Sequence, residues 1–419
     1  MLRSGKAPKR QRTHLDARRV LAAMGPGMVA ALAGADAGGV ATYSNAGALF
    51  GFGQLWTVPI MCLLLIVAQE TAARMGCVTG KGFASLIREQ YGVRMSALAM
   101  LALLVSNTTV TLSEFAGIAS GMALFGIPVY ASVPVSALII WMLTMSGSYR
   151  RIEKILLAIS CVFVTYVVAG VMVGPDWGDA LSATLVPRFS SDPQYFSLLV
   201  ANVGTTIAPW MIFLAQSNVV DKNAREDDIP YQRIDTVTGA VVASAISWFI
   251  ILTTGAVLNP AGVRVDGAEQ AAAALAPLAG PYAKVLFGAG LVGASFLAAC
   301  VLPGITSSAI CEAFGWERGA DRSWSEAPVY RGIITVILGF SAVVVLLPGA
   351  DLFGIMMVAQ VVNGLLLPVL LVFMVKIAAD RHVMGSHANS RLWNVLTWLT
   401  VAIVIVLTMV MFALQAMGY

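Results

Sequence analysis

The sequence predicts an all-α membrane protein of eleven spanning helices, and three observations carry that reading. Only 11% of its 419 residues are charged and 58% are hydrophobic, where a soluble domain carries roughly 25% charged residues. Runs such as 396–414 and 152–173 are apolar for about twenty residues, the length that a ~30 Å hydrocarbon core requires at ~1.5 Å per residue. A transmembrane barrel would show short alternating segments instead. The basic residues also alternate with the apolar runs. With the N-terminus in the cytoplasm, all but three of the 26 Lys and Arg lie on the inner side, the exceptions being Arg188, Arg264 and Lys284. A missed or surplus span would scramble that pattern. The C-terminus is then external, and the expected location is a bacterial-type inner (plasma) membrane.

Along the chain, residues 1–19 form a cytoplasmic segment with a basic cluster from Lys6 to Arg19. Beside a membrane span this reads as an orientation signal rather than a nucleic-acid arm. No cleavable signal peptide is visible. Ten spans follow over 20–376, near 20–49, 54–74, 96–125, 129–146, 151–173, 196–220, 233–258, 282–314, 329–347 and 350–376. A loop and an eleventh helix, near 392–416, fill 377–419. In the longest external loop Asp266 stands three residues before Glu269, a helix-start signature that predicts a short surface helix ahead of Leu278. The five cysteines sit in or at the edges of apolar runs with no metal or redox spacing, and read as small buried hydrophobes. His14, His382 and His387 all lie in polar segments, which leaves no histidine at membrane depth.

Two spans are interrupted. The first holds Ala33-Gly34-Ala35-Asp36-Ala37-Gly38-Gly39, and the sixth holds Gly204-Thr205-Thr206-Ile207-Ala208-Pro209-Trp210. Irregular backbone at that depth is tolerated only where protein or a water-filled cavity receives the freed amides and carbonyls. A midplane Asp costs ~3 kcal/mol on insertion scales and marks a pathway. The first span enters from inside and the sixth from outside, so residues 20–173 and 196–376 form two inverted halves, each opening with a discontinuous helix. That is the LeuT-like 5+5 inverted repeat of secondary transporters, which hold substrate between the two breaks.

At these residues the sequence resembles the Nramp (natural resistance-associated macrophage protein) family of divalent-metal transporters. The likeness runs over about 20–375: Gly25-Pro26-Gly27 before the first break, Ala41-Thr42 and Gly51 after it, and Ala72-Ala73-Arg74-Met75-Gly76-Cys77-Val78-Thr79-Gly80 closing the second span. Glu114-Phe115-Ala116-Gly117 falls in the third span, and Gln360-Val361-Val362 with Pro368 in the tenth. The departures are as informative. The family's Asp-Pro-Gly-Asn stands here as Asp36-Ala37-Gly38-Gly39, and its Met-Pro-His as Ala208-Pro209-Trp210. A further family histidine falls at Ala215, the Asp of the third span falls at Thr111, and the ninth span carries no arginine in its interior. This combination resembles the Nramp-related magnesium transporters.

The resemblance implies uptake of Mg²⁺, with Mn²⁺ also carried, through a site of Asp36, Ala33, Gly39, Thr205, Ala208, Gln360 and Asn363, with Glu114 and Trp210 as further pathway residues. The chemistry agrees. A lost thioether removes a preference for soft ions, and Mg²⁺ keeps several waters while binding one or two carboxylates. Gln360 and Asn363, three apart on one helix, read either as partners for ordered water or as helix–helix glue. Three roles stay open for Glu114: proton relay, second charge beside the ion path, or protonated packing residue. Glu70 and Arg74 read as a structural i,i+4 pair, and Glu312 as solvated or paired. Loss of the histidines, the Asp and the arginines implies transport without proton coupling. The alternative is a proton-coupled Mn²⁺/Fe²⁺ symporter. An organic-solute carrier is disfavoured by the fixed charge of Asp36, and a membrane enzyme by the lack of a nucleophile–base set at depth. No cofactor is expected beyond the transported ion.

Overall fold

The computed structural model describes residues 36–146 and 161–416, the side chains of 161, 163 and 414–416 aside. The basic segment 1–19, Gly25-Pro26-Gly27, Ala33 and the first ten residues of the fifth span therefore lie outside the described residues.

Asp36 is extended (φ −72°, ψ 175°) and caps helix α1, Ala37–Phe50, which ends at Gly51 with φ 55°. Helix α2, Thr57–Thr79, ends at Gly80 in the left-handed region. Helix α3 runs Phe83–Ala123 with a break in the helical path at Gly92, φ 75° and ψ −176°. The sequence places the third span from 96, and the structure adds a short helical arm before the kink. Helix α4, Val129–Ser146, contains Pro134. Helix α5, Thr165–Val173, and helix α6, Trp177–Leu185, lead to α7, Pro193–Thr206, and α8, Pro209–Asp221. The remaining helices are α9, Ile229–Val257; α10, Ala268–Ala273; α11, Ala283–Phe314; α12, Pro328–Val345; α13, Leu352–Ala379; and α14, Arg391–Ala416.

Among the described residues nine helices are long and apolar enough to cross a membrane. They correspond to the second to fourth and sixth to eleventh expected spans, with α1 and α5 standing for parts of the first and fifth. The expected external helix is present as α10, but Gly267 precedes it as the cap and makes no side-chain bond. Glu269 instead pairs with Lys284 at the start of α11, so the Asp266–Glu269 capping reading is corrected.

Helix α3 packs between α11 and α13, α1 lies on α9, and α7 lies on α13. Glycines let backbones meet at two of these seams. A methyl on Gly47 would come within 2.0 Å of Thr254 Oγ1 and 2.5 Å of the Ile251 carbonyl on α9. One on Gly204 would come within 2.0 Å of the Gln360 carbonyl on α13. Small residues at such crossings are how membrane helices gain close contact without a hydrophobic driving force.

At the end of α2 the Glu70–Arg74 pair is present at 3.2 Å, and Arg233 of α9 also reaches Glu70 at 2.5 Å. Arg74 donates onward to the His387 carbonyl and Asn389, so a buried carboxylate ties α2, α9 and the loop before α14 together. Glu312 pairs with Arg318 and accepts from the Ser85 amide at the start of α3.

Candidate functional site

The first span is described from Asp36 onward, at the start of α1. The Oδ1 of Asp36 accepts the Gly39 N–H at 2.6 Å, the usual bond of an acidic N-cap, and the residue is 1% exposed. The Oε2 of Glu114, arriving from α3, accepts the neighbouring Ala37 N–H at 3.3 Å. Two carboxylates thus converge on one helix N-terminus, whose unpaired amides and dipole favour negative charge. Glu114 thus sits beside Asp36 at the start of α1, a position that fits each of the three roles open to it.

Gly38 and Gly39 do not lie in the break, as the sequence reading had it, but in the first turn of α1. Gly39 therefore contributes an amide donor that orients Asp36, and a donor N–H does not ligate a cation.

The second break spans Ile207 (φ −120°, ψ 60°) and extended Ala208 (ψ 140°) between α7 and α8. Pro209 has no N–H, so the Thr205 carbonyl loses the donor that a continuous helix would supply. Thr205 Oγ1 is buried without a partner among the described residues, and so is Trp210 Nε1. Trp210 is 1% exposed and belongs to a buried apolar cluster that also includes residues of α2, α3 and α11. The two half-helices are linked directly by the Tyr43 hydroxyl and Thr206 Oγ1, 2.6 Å apart. The sequence reading missed that link, and its signal was slight: a tyrosine two turns after a midplane Asp.

Helix α13 closes the space between the breaks. Gln360 lies over Gly38, where an added methyl would meet its Nε2 at 1.8 Å, and its own carbonyl abuts Gly204. Asn363 Nδ2 donates to Gln360 Oε1 at 3.1 Å, and the Ser106 hydroxyl of α3 donates to Asn363 Oδ1. The two amides are therefore bonded to each other and to α3, and Ser106 joins the set that sequence reasoning proposed. Met357, one turn earlier on α13, accepts from Thr42 Oγ1 at 3.7 Å. Its thioether thus meets a hydroxyl that also donates to the Gly38 carbonyl at 2.7 Å, in the first turn of α1.

Asp36, Gly39, Glu114 and Gln360 are thus gathered at the start of α1, with Asn363 behind Gln360 and Thr205 and Ala208 at the facing break. Ala33 lies outside the described residues. No group of three or more His, Cys, Asp or Glu side chains able to hold a metal occurs among the described residues. The charged chemistry of the site is a pair of carboxylates with carbonyl and amide groups around it, a donor set suited to a hard, partly hydrated cation.

The chain matches the family model described as Nramp, natural resistance-associated macrophage protein-like, over residues 27–414. It is 28% identical over 410 residues to a divalent metal cation transporter MntH of Ralstonia nicotianae, covering 92% of this chain and 89% of that protein. It is likewise 28% identical to the divalent metal cation transporter MntH 1 of Pseudomonas aeruginosa, covering 91% and 89%. Among solved structures, a manganese transporter of Eremococcus coleocola superposes with a TM-score of 0.77 at 22% identity, over 95% of this chain and 87% of that one. MhsT, solved in complex with L-phenylalanine, superposes with a TM-score of 0.58 at 14% identity, over 92% and 97%.

Proposed function

The chain belongs to the Nramp family, and from that premise we propose that it takes up divalent cations across the membrane, Mg²⁺ foremost and Mn²⁺ as well. The ion is held partly hydrated at Asp36 between the two helix breaks. The observation that carries this reading is the buried Asp36 carboxylate, oriented by the Gly39 amide and joined by Glu114 at the start of α1. The related proteins are named as divalent metal cation transporters, which supports the cation as cargo. The preference for Mg²⁺ rests on Ala208 and Gly39, where the resemblance leads one to expect a thioether and an amide ligand. A pocket with fewer and harder donors leaves room for waters that Mg²⁺ gives up reluctantly.

A second reading, a proton-coupled Mn²⁺/Fe²⁺ symporter, is favoured by one observation: the Glu114 carboxylate is beside Asp36, where a proton and an ion would compete. We place it second because the rest of the family's titratable set is replaced. Uptake into proteoliposomes with Mg²⁺, Mn²⁺ and Ca²⁺ in competition tests the proposal. Strong block of Mg²⁺ uptake by equimolar Mn²⁺, with no reciprocal block, would overturn the preference. The proposed orientation, N-terminus cytoplasmic and C-terminus external, predicts that a cysteine after Met417 reacts with an impermeant external label and one near Lys9 does not.

A further inference from the structure

Gln360, Asn363 and Ser106 form a hydrogen-bond chain that begins on α3 and ends over the first turn of α1, and all three side chains are fully buried. As the structure has it, the Ser106 O–H donates to Asn363 Oδ1, and Asn363 Nδ2 donates to Gln360 Oε1. The free end of the chain is Gln360 Nε2, which has no partner among the described residues. That end lies over Gly38, between the residue whose amide holds Glu114 and the residue whose amide holds Asp36.

The chain has a second arrangement that keeps two side-chain bonds. A side-chain amide exposes an oxygen and an NH₂ of similar size, so half-turns of both amides exchange donor and acceptor while the heavy atoms keep their places. Asn363 Nδ2 then donates to Ser106 Oγ, and Gln360 Nε2 donates to Asn363 Oδ1. The Ser106 O–H is released to the carbonyl one helical turn back, a common serine bond in helices. Gln360 now turns its carbonyl oxygen toward Gly38. Neither arrangement gives up a side-chain bond, so what occupies the start of α1 biases the choice between them. Next to bare carboxylates a donor is favoured there. Next to a hydrated divalent cation, whose bound waters turn their hydrogens outward, an acceptor is favoured.

We propose that Ser106 is a positioning residue for cation selection: acting through Asn363, it allows Gln360 to turn its carbonyl toward the ion and accept hydrogen bonds from the ion's water shell. This rests on the reading of Asp36 as the ion site. The carbonyl-inward arrangement depends on Ser106 because it alone needs an acceptor for Asn363 Nδ2. Buried N–H groups without partners are rarer than under-satisfied C=O groups, so removing the hydroxyl tilts the chain toward the donor-inward form. The ion that keeps more of its water suffers more, and that ion is Mg²⁺.

The experiment is isothermal titration of the purified full-length protein with MgCl₂ and with MnCl₂. Ser106→Ala is expected to lower the Mg²⁺:Mn²⁺ affinity ratio about tenfold, and Ser106→Thr, which keeps the hydroxyl, to restore it. In an Asn363→Leu background, Ser106→Ala is expected to change the ratio no further, because its route to Gln360 is already cut. A ratio within twofold of wild type in Ser106→Ala overturns the proposal, as does an effect that persists in Asn363→Leu or is not rescued by threonine. Asp36→Asn separates the two layers. If it abolishes both heats while Ser106→Ala leaves the ratio alone, the chain is wrong and the ion site stands. If Asp36→Asn binds both ions as wild type does, the site is elsewhere and the chain falls with it.

Discussion

Replacing Asp36 by Asn and by Ala separates what its carboxylate does for the ion from what it does for the fold. Asn keeps an oxygen for the Gly39 N–H, now accepted at 2.6 Å, and is as good an N-cap as Asp. Ala removes the cap, worth about 1 kcal/mol, and strands a buried amide that costs about 1–3 kcal/mol. Insertion of the span becomes easier once the charge is gone, by most of the ~3 kcal/mol an Asp costs in Ala and by less in Asn, so both variants should fold. For the ion, a unit charge pair at about 4 Å and an effective dielectric near 20 is worth ~4 kcal/mol, hence ~8 for a divalent ion. Desolvation cancels much of that, but even a third of it is on the order of a hundredfold in affinity. Thermal unfolding with and without MgCl₂ or MnCl₂ reads both effects. At a hundred times its dissociation constant a ligand stabilises by ~2.7 kcal/mol, and that shift should vanish in both variants, with only Ala lowering the ion-free midpoint. An Asn variant that keeps the shift at wild-type concentrations would refute the site.

Three further outcomes follow from the same geometry. Gly39→Asn with Ala208→Met should move selectivity toward Mn²⁺ in competition uptake, and an unchanged Mg²⁺:Mn²⁺ ratio would assign selectivity to the outer shell instead. Transport should be electrogenic without proton movement, since a divalent ion crossing ~100 mV gains about 4.6 kcal/mol, enough for a gradient on the order of a thousandfold. Acidification of dye-loaded liposomes that tracks Mg²⁺ entry and disappears in Glu114→Gln would count against this. Outside the membrane, the Arg188 hydrogen bond holds the Asp179 carboxyl below its ordinary range. A lowered acid contributes stability above its unfolded value and loses it as pH falls, but both side chains are over a third exposed, so Arg188→Met should cost less than about 1 kcal/mol. It should also flatten the acid limb of a stability–pH curve, and an unflattened limb would show that the pair does not hold in solution.

The second break was legible because helices in lipid do not carry a residue such as Pro209 without reason, and Asp36 was legible on the same ground as the residue at which α1 begins. The helix alternation and the Glu70–Arg74 pair were legible because they depend on local spacing. What escaped depends on contacts between distant parts of the chain. Glu114 is seventy-seven residues from the amide it caps, and nothing in its own segment announces α1 as its neighbour. Ser106 reads as a helix serine until α13 brings Asn363 against it. Arg233 extends the Glu70 pair from a different helix. The misplacement of Gly38 and Gly39 has a different cause. Glycine suggests broken helix in a sequence, but here it gives close approach, with Gln360 occupying the room a side chain would need.

The two glycine seams also define where this chain can drift. Alanine in place of a helical glycine usually stabilises a protein by about 0.4–1 kcal/mol, and Gly332 and Gly339 on α12, which meet nothing within 4 Å, have that latitude. Gly47 and Gly204 do not, because what their missing methyl would strike is the backbone or a packed side chain of the neighbouring helix. Two helices beside the proposed site, α1 and α7, are thus attached to α9 and α13 at points where one added carbon would pry them apart. Thermostabilising substitution has an open field on the periphery and a closed one at these two seams, so a stiffened protein can be engineered from its rim without disturbing them.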